Sequence, residues 1–156
     1  MQIRLLVVGK TADNTMQLLI DDYFKRLKHY CNFKMDFVQA KGKKKSANDT
    51  ELKKQEAEAI LNSLSEQSVL ILLDEKGKSF SSEKFAGFLQ KKMNAAPKDL
   101  VFCIGGAFGF DQSVYDRANS KVALSELTFT HQMVRLIFVE QLYRAFTILK
   151  GESYHH

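Results

Sequence analysis

Residues able to move a proton or hold a small ligand gather toward the C-terminal end of the sequence. Tyr154 and His155 come directly after a long apolar segment, His131 to Leu149. Histidine titrates near neutral pH, which suits it to proton transfer, and a buried helix just ahead would tie both side chains down. A chain end usually frays, and a final His-His also reads as a tag remnant. Within the apolar segment Glu140, Arg144 and Thr147 form one narrow polar stripe on a helical wheel. Glu140 and Arg144 stand four apart in the order that favours a helix-surface ion pair. Arg135 points the other way, toward Val139, Leu142 and Phe146. A guanidinium on an apolar face needs a carboxylate, a carbonyl or a ligand to offset its desolvation, and structural pairing is favoured over substrate contact.

A second feature is the run Leu100 through Gly109, a buried-type strand that ends in Gly105, Gly106 and Gly109 before a helix. Glycines so close together mark a sharp turn or a close approach to the backbone. In an open parallel sheet, ligands bind beyond the carboxyl ends of the strands, where this cluster falls. The glycines do not have the spacing of a dinucleotide fingerprint, and no Gly-Lys-Ser/Thr comes after them to cradle a phosphate. A ligand without phosphates is favoured, with a plain tight turn as the alternative. The run Leu70 to Lys78, another apolar strand passing into charge and then Gly77, becomes informative if Leu73 and Gly105 lie side by side.

These groups need a scaffold, and hydrophobic periodicity supplies one. Short aliphatic runs at 3–8, 34–38, 69–74, 100–104 and 122–124 alternate with helical patterns at 15–29, 49–62, 82–94, 111–119 and 131–149, the signature of an α/β domain with a mostly parallel sheet. Asn48 or Asp49 and Ser81 or Ser82 are expected N-caps, and Gly151 a helix stop. The helix from His131 is apolar in nearly every direction, so a second copy of the chain is its natural outer cover and a two-fold homodimer is predicted. With 156 residues, 45% hydrophobic and 26% charged, the chain reads as one globular domain, residues 1–156, and not as a disordered one. The first apolar run is too short for a membrane span and is read as a strand. Cys31 and Cys103 make neither a disulfide framework nor a metal site, which fits a reducing cytoplasm and no metal. The net charge of +5 favours an anionic partner such as nucleic acid. The run Lys41-Gly42-Lys43-Lys44-Lys45 reads first as solvated surface and second as an arm for RNA phosphates.

Ile104-Gly105-Gly106, the run Leu124 to His131, Val134-Arg135, Glu140 through Ala145 and Tyr154-His155 together resemble the RlmH-type SPOUT methyltransferases, over nearly the whole chain. One departure is Thr130, where that family usually has proline before the histidine. The resemblance implies a SPOUT α/β-knot fold, in which the C-terminal part threads a loop to form a trefoil knot. It also implies S-adenosylmethionine as cofactor, held by Leu73, Gly105 and the run Leu124, Ser125, Glu126, Leu127, Thr128 and Phe129. By the same resemblance Arg144, Tyr154 and His155 are catalytic, near the transferred methyl and against the partner's pocket across the dimer. The implied substrate is ribosomal RNA of the large subunit, or the assembled ribosome, with N3 of pseudouridine 1915 in 23S RNA as the acceptor. His155 or Tyr154 then removes the N3 proton while Arg144 orients the base. The rival readings are methylation of another RNA position by the same fold, and a non-enzymatic dimeric RNA-binding protein.

Overall fold

The computed structural model describes residues 1–40 and 48–156, so the run Lys41 to Lys45 lies outside the described residues. Along the chain come β1 (Gln2–Val8), α1 (Asn14–Leu27), β2 (Phe33–Val38), α2 (Asp49–Asn62), β3 (Ser68–Ser79), α3 (Ser82–Asn94), β4 (Asp99–Ile104), α4 (Gln112–Arg117), β5 (Ser120–Ala123) and α5 (His131–Lys150). The strands form one sheet in the order β2-β1-β4-β3-β5, with every pairing parallel.

Strands covered on both faces read as unbroken apolar runs. β4 is the clearest case, buried from Asp99 to Ile104. On one face Ile3, Leu5 and Phe102 pack with Ile20 and Leu27 of α1, Phe85 and Leu89 of α3, and Phe138 and Leu142 of α5. On the other, Leu6, Leu72, Val101 and Cys103 meet Ala57 and Ile60 of α2 and Val114 of α4. At the opposite end of the sheet from the glycine cluster, Arg4 bridges β1's neighbours, donating to Asp36 of β2 at 3.1 Å and to Asp99 of β4 at 2.9 Å.

The helices begin where short polar side chains can satisfy free amides. Asn48 accepts from the Glu51 amide at 2.8 Å and Ser81 from the Lys84 amide at 3.3 Å. At α5 the cap is Thr130, whose hydroxyl accepts from the Met133 amide at 3.2 Å. Its φ of −61° is the value a proline ring imposes, so threonine keeps the turn and adds the cap. Gly151 ends α5 in the left-handed region, with φ of 68°, as its position in the sequence predicts.

Most boundaries shift by one or two residues, and two of the differences bear on the site. Leu124 leaves β5, which ends at Ala123, and stands in the loop beyond it. β3 continues beyond Asp74 to Ser79. The charged run 74–76 hides this because it has no apolar pattern, and the pairing with β5 resumes only at Lys78. Val122 of β5 pairs with Leu73 and again with Lys78, and Ala123 pairs with Ser79. A straight strand would advance about 16 Å between Leu73 and Lys78, at roughly 3.3 Å per residue. The chain therefore folds back against β5 between the two pairings. Gly77 lies at the contact, where a Cβ would come within 2.6 Å of the Val122 backbone nitrogen and carbonyl carbon. Only a residue without a side chain fits there, since both sides of the clash are main chain.

Gly77→Ala should accordingly destabilise the fold by roughly 2 kcal/mol or more through overpacking. Thermal unfolding monitored by circular dichroism should show a midpoint lower by about 5 °C or more.

Candidate active site

Leu73 to Lys76 of β3 and the carboxyl end of β4 open into a cleft of about 970 Å³, closed on its third side by the loop after β5. Leu72 is paired with Cys103, so Leu73 and Gly105 emerge from neighbouring strands, and both line the cleft. A Cβ on Gly105 would approach Phe110 and Gly109 at 3.3 to 3.4 Å, and one on Gly106 would meet the Glu56 carboxylate at 2.6 Å. The floor is therefore bare backbone pressed between α2 and the turn at Gly109. Leu124, Ser125, Leu127, Thr128 and Phe129 supply the opposite wall, with Ile104, Phe108 and Val134 adding apolar surface. Leu127 is 72% exposed, so a large apolar side chain at the cleft lacks a cover. Glu126 does not line the cleft.

Local hydrogen bonds shape the walls. Ser125 accepts from the Leu127 amide at 2.9 Å, a turn that fixes the loop after β5. The Thr128 hydroxyl reaches Glu75 at 3.4 Å, joining that loop to the fold-back after Leu73. Asp74 accepts from the Lys76 amide at 2.7 Å and from the Tyr115 hydroxyl, which burial and this carboxylate together keep protonated far above the usual phenol range. His131 also lines the cleft. Burial, then the positive charge of Arg135, pushes its imidazole below the ordinary value, so it stays neutral.

Arg135 itself is fully buried behind this wall. It donates to the Val8 carbonyl at 2.8 Å and to the Thr11 hydroxyl at 3.2 Å. The carbonyl was among the expected partners, and the pairing is structural: it ties α5 to the loop after β1. Among the described residues it has a carbonyl and a hydroxyl but no carboxylate as partner, and desolvation lowers the pKa of the guanidinium.

Arg144, Tyr154 and His155 come together elsewhere, on the polar stripe of α5, and none of them lines the cleft of its own chain. Glu140 is their hub. One of its oxygens accepts from Arg144 Nη2 at 2.6 Å and Nε at 3.1 Å and from Tyr154 at 3.2 Å, and the other from Gln141 at 2.7 Å. Tyr23 of α1 meets the Tyr154 hydroxyl at 3.3 Å. Burial and the Tyr23 hydrogen bond push the Tyr154 phenol well above its ordinary value, so it remains a donor. The free guanidinium nitrogen, Nη1, lies 3.3 Å from Nδ1 of His155, while Nε2 of the same ring lies 2.8 Å from Glu83 of α3. The tail is not frayed. Tyr30 donates to Glu152 at 2.5 Å, Tyr154 stacks edge-on against Tyr143, and His156 alone of the last three residues is exposed. Thr147 is buried instead of completing the stripe's surface, its hydroxyl donating to the Arg144 carbonyl at 2.8 Å.

Comparison with known proteins gives this arrangement a family. The family described as "Predicted SPOUT methyltransferase" matches residues 1–155. The chain belongs to the SPOUT methyltransferase family. It is thus an enzyme, and a trefoil knot is a topology that membership in this family implies. Among relatives, the chain is 51% identical over 156 residues to the ribosomal RNA large subunit methyltransferase H of Flavobacterium johnsoniae, covering 100% of this chain and 99% of that one. It is 48% identical to the protein of the same name from Cytophaga hutchinsonii, with each chain covered completely. For a SPOUT methyltransferase, the residues that sequence reading missed are Tyr23, Glu83 and His131. Tyr23 and Glu83 lie in amphipathic helices where nothing distinguishes them from surface residues. His131 carried a local signal, standing at a helix start directly after the run assigned to the cofactor.

The Glu83 carboxyl is held down at about 2, against an ordinary 4.5, by its own backbone N–H, then by His155 and the Ser81 hydroxyl. A depressed carboxyl stabilises the fold in full above its unfolded value and loses that contribution as pH falls through the folded one. Docking of the tail on α3 should therefore persist at pH 4.5 and be lost only toward pH 2. A carbon-detected NMR titration of Glu83, with the Tyr154 ring signals followed in parallel, should show both moving together in that range.

Proposed function

We propose that the chain transfers a methyl group from S-adenosylmethionine to N3 of a pseudouridine in large-subunit ribosomal RNA, the acceptor that corresponds to position 1915 of 23S RNA. The observation that carries this reading is the convergence of the 73–76 segment of β3 and the loops after β4 and β5 on one cleft with a glycine floor and apolar walls. Its volume lies within the range of small-molecule pockets. Its donor chemistry suits an adenosine: backbone amides and carbonyls at Gly105 and Gly106, and apolar side chains at Leu73, Leu124, Leu127 and Phe129 for the ring faces. The absence of a phosphate loop from the sequence agrees with a cofactor that has no phosphates. The names of the relatives, which cover the chain from end to end, support ribosomal RNA as the acceptor. Residues 1–156 are read as one domain, acting in the cytoplasm without a metal.

The cofactor, when bound, supplies an electrophilic methyl on a sulfonium. The protein has to orient the acceptor base in line with that methyl and take up one proton. Tyr154 is a poor proton acceptor because it is held as a donor to Glu140. His155 takes that role, and Arg144, whose other two nitrogens are anchored on Glu140, orients the base and offsets developing negative charge. Since these three residues lie away from their own cleft, they serve the cleft of a second copy. Leu18, Leu19 and Met133, exposed apolar residues on α1 and α5, are the natural centre of a homodimer interface.

His155→Ala should lower methyl transfer by roughly 100-fold or more, the share a positioned general base supplies. Cofactor affinity measured by calorimetry should stay near that of the wild type. Unchanged turnover would remove His155 from the reaction, and lost cofactor binding would move it into the pocket. Leu18→Asp combined with Met133→Asp should convert the dimer to a monomer in sedimentation and abolish turnover. Activity retained by a monomer would overturn the composite site.

A further inference from the structure

Glu83 neither accepts the proton nor orients the base, yet it makes the shortest contact to the ring of His155. Its Oε1 lies 2.8 Å from Nε2, while Arg144 Nη1 lies 3.3 Å from Nδ1. The two partners differ in kind. A guanidinium only donates, so Nδ1 facing Arg144 must offer its lone pair. An ionised carboxylate only accepts, so Nε2 facing Glu83 must carry the hydrogen. The neutral ring is thereby fixed as one tautomer from both sides.

We infer that Glu83 is a positioning residue that holds the proton of neutral His155 on Nε2, so that Nδ1 is the atom that receives the proton from the RNA base. The inference rests on the proposed role of His155. Its geometric basis is the distribution of hydrogen bonds around Arg144. Nε and Nη2 are committed to Glu140, and Glu140 is filled by Arg144, Tyr154 and Gln141. Nη1 is therefore the arm of Arg144 that turns to a substrate, and when it does so Nδ1 is uncovered beside it. Glu83 is then the partner that still holds the ring. In the transfer, N3 bonds the methyl carbon as that carbon leaves sulfur, which keeps the bonding pair, and the N3 proton passes to Nδ1. The imidazolium so formed is doubly protonated and lies against the Glu83 carboxylate, so the new positive charge has a counter-charge in place.

Glu83 sits in the first turn of α3 with its side chain 61% exposed, so its replacement leaves the core untouched. The test uses the full-length protein, ribosomes from a strain that lacks the enzyme, and labelled S-adenosylmethionine. Glu83→Ala should lower kcat about tenfold, part of what a general base supplies, with cofactor affinity by calorimetry unchanged. Glu83→Gln, which keeps an acceptor oxygen but loses the counter-charge, should fall between Glu83→Ala and the wild type. Independently of turnover, nitrogen-15 NMR of the His155 ring should find the hydrogen on Nε2 in the wild type and in Glu83→Gln, and a mixture of tautomers in Glu83→Ala. A wild-type ring protonated on Nδ1, or full activity of Glu83→Ala while His155→Ala is inactive, would overturn the inference. Full activity of His155→Ala as well would instead remove the proposed role of His155 on which it rests.

Discussion

Everything at the carboxyl end of this sheet depends on main chain meeting main chain at Gly77. Because the chain folds back there, β5 is paired with residues on both sides of the fold, Leu73 and Lys78 alike meeting Val122. That double pairing seats Val122 beside Leu73, two residues ahead of Leu124, and so brings the loop after β5 to the cleft that Leu73 and Gly105 line. The cleft is then a consequence of strand pairing more than of any side chain in it. The same constraint sets the direction of the chain beyond β5. A strand held on both sides leaves the sheet at one point, and Thr130 caps the helix that returns across the α1 and α3 face.

A second constraint acts on that returning helix. α5 buries Phe138, Leu142 and Phe146 under the sheet, which costs its polar residues their water unless they have partners. Arg135 is answered by a carbonyl and a hydroxyl, Thr147 by a carbonyl one turn back, and Arg144 by Glu140. These solutions differ in what they leave free. Arg135 is surrounded and can only brace the structure. Arg144 keeps one nitrogen outside its ion pair, facing His155, and at 25% side-chain exposure it still reaches solvent. Burial thus separates a bracing arginine from an available one nine residues along the same helix.

The range of the interactions decides how much of this was legible in the sequence. Caps and stops act within four residues, and Asn48, Ser81 and Gly151 were all found in the predicted places. Strand ends with glycine are similarly local, which is why Gly105 and Leu73 were recognised and do line the cleft. The Glu140 and Arg144 pair obeys helical spacing and was equally accessible. Glu83 and His155 are separated by 72 positions, Arg135 and Val8 by 127, and Tyr23 and Tyr154 by 131. No local pattern encodes such pairs. The fold-back at Gly77 was missed for a related reason: the residues 74–76 are charged, and the pairing that carries the strand on resumes only beyond them, at Lys78.

The distances within the cluster also assign the work among its members. Glu140 receives three donors on one oxygen and one on the other, so it serves chiefly to orient Arg144 and Tyr154. Tyr154, held as a donor and packed edge-on against Tyr143, is a support as well. The groups still chemically available are one guanidinium nitrogen and one imidazole nitrogen, side by side. The first can hold an oxygen of a base and the second can take a proton from the adjacent nitrogen, a pairing that matches a ring in which a carbonyl flanks an N–H. Pseudouridine presents that edge at N3, and the same edge in uridine means that this pair of groups reads the acceptor's chemistry without distinguishing the two bases. For the proposed reaction, discrimination between them has to come from contacts to the rest of the nucleotide.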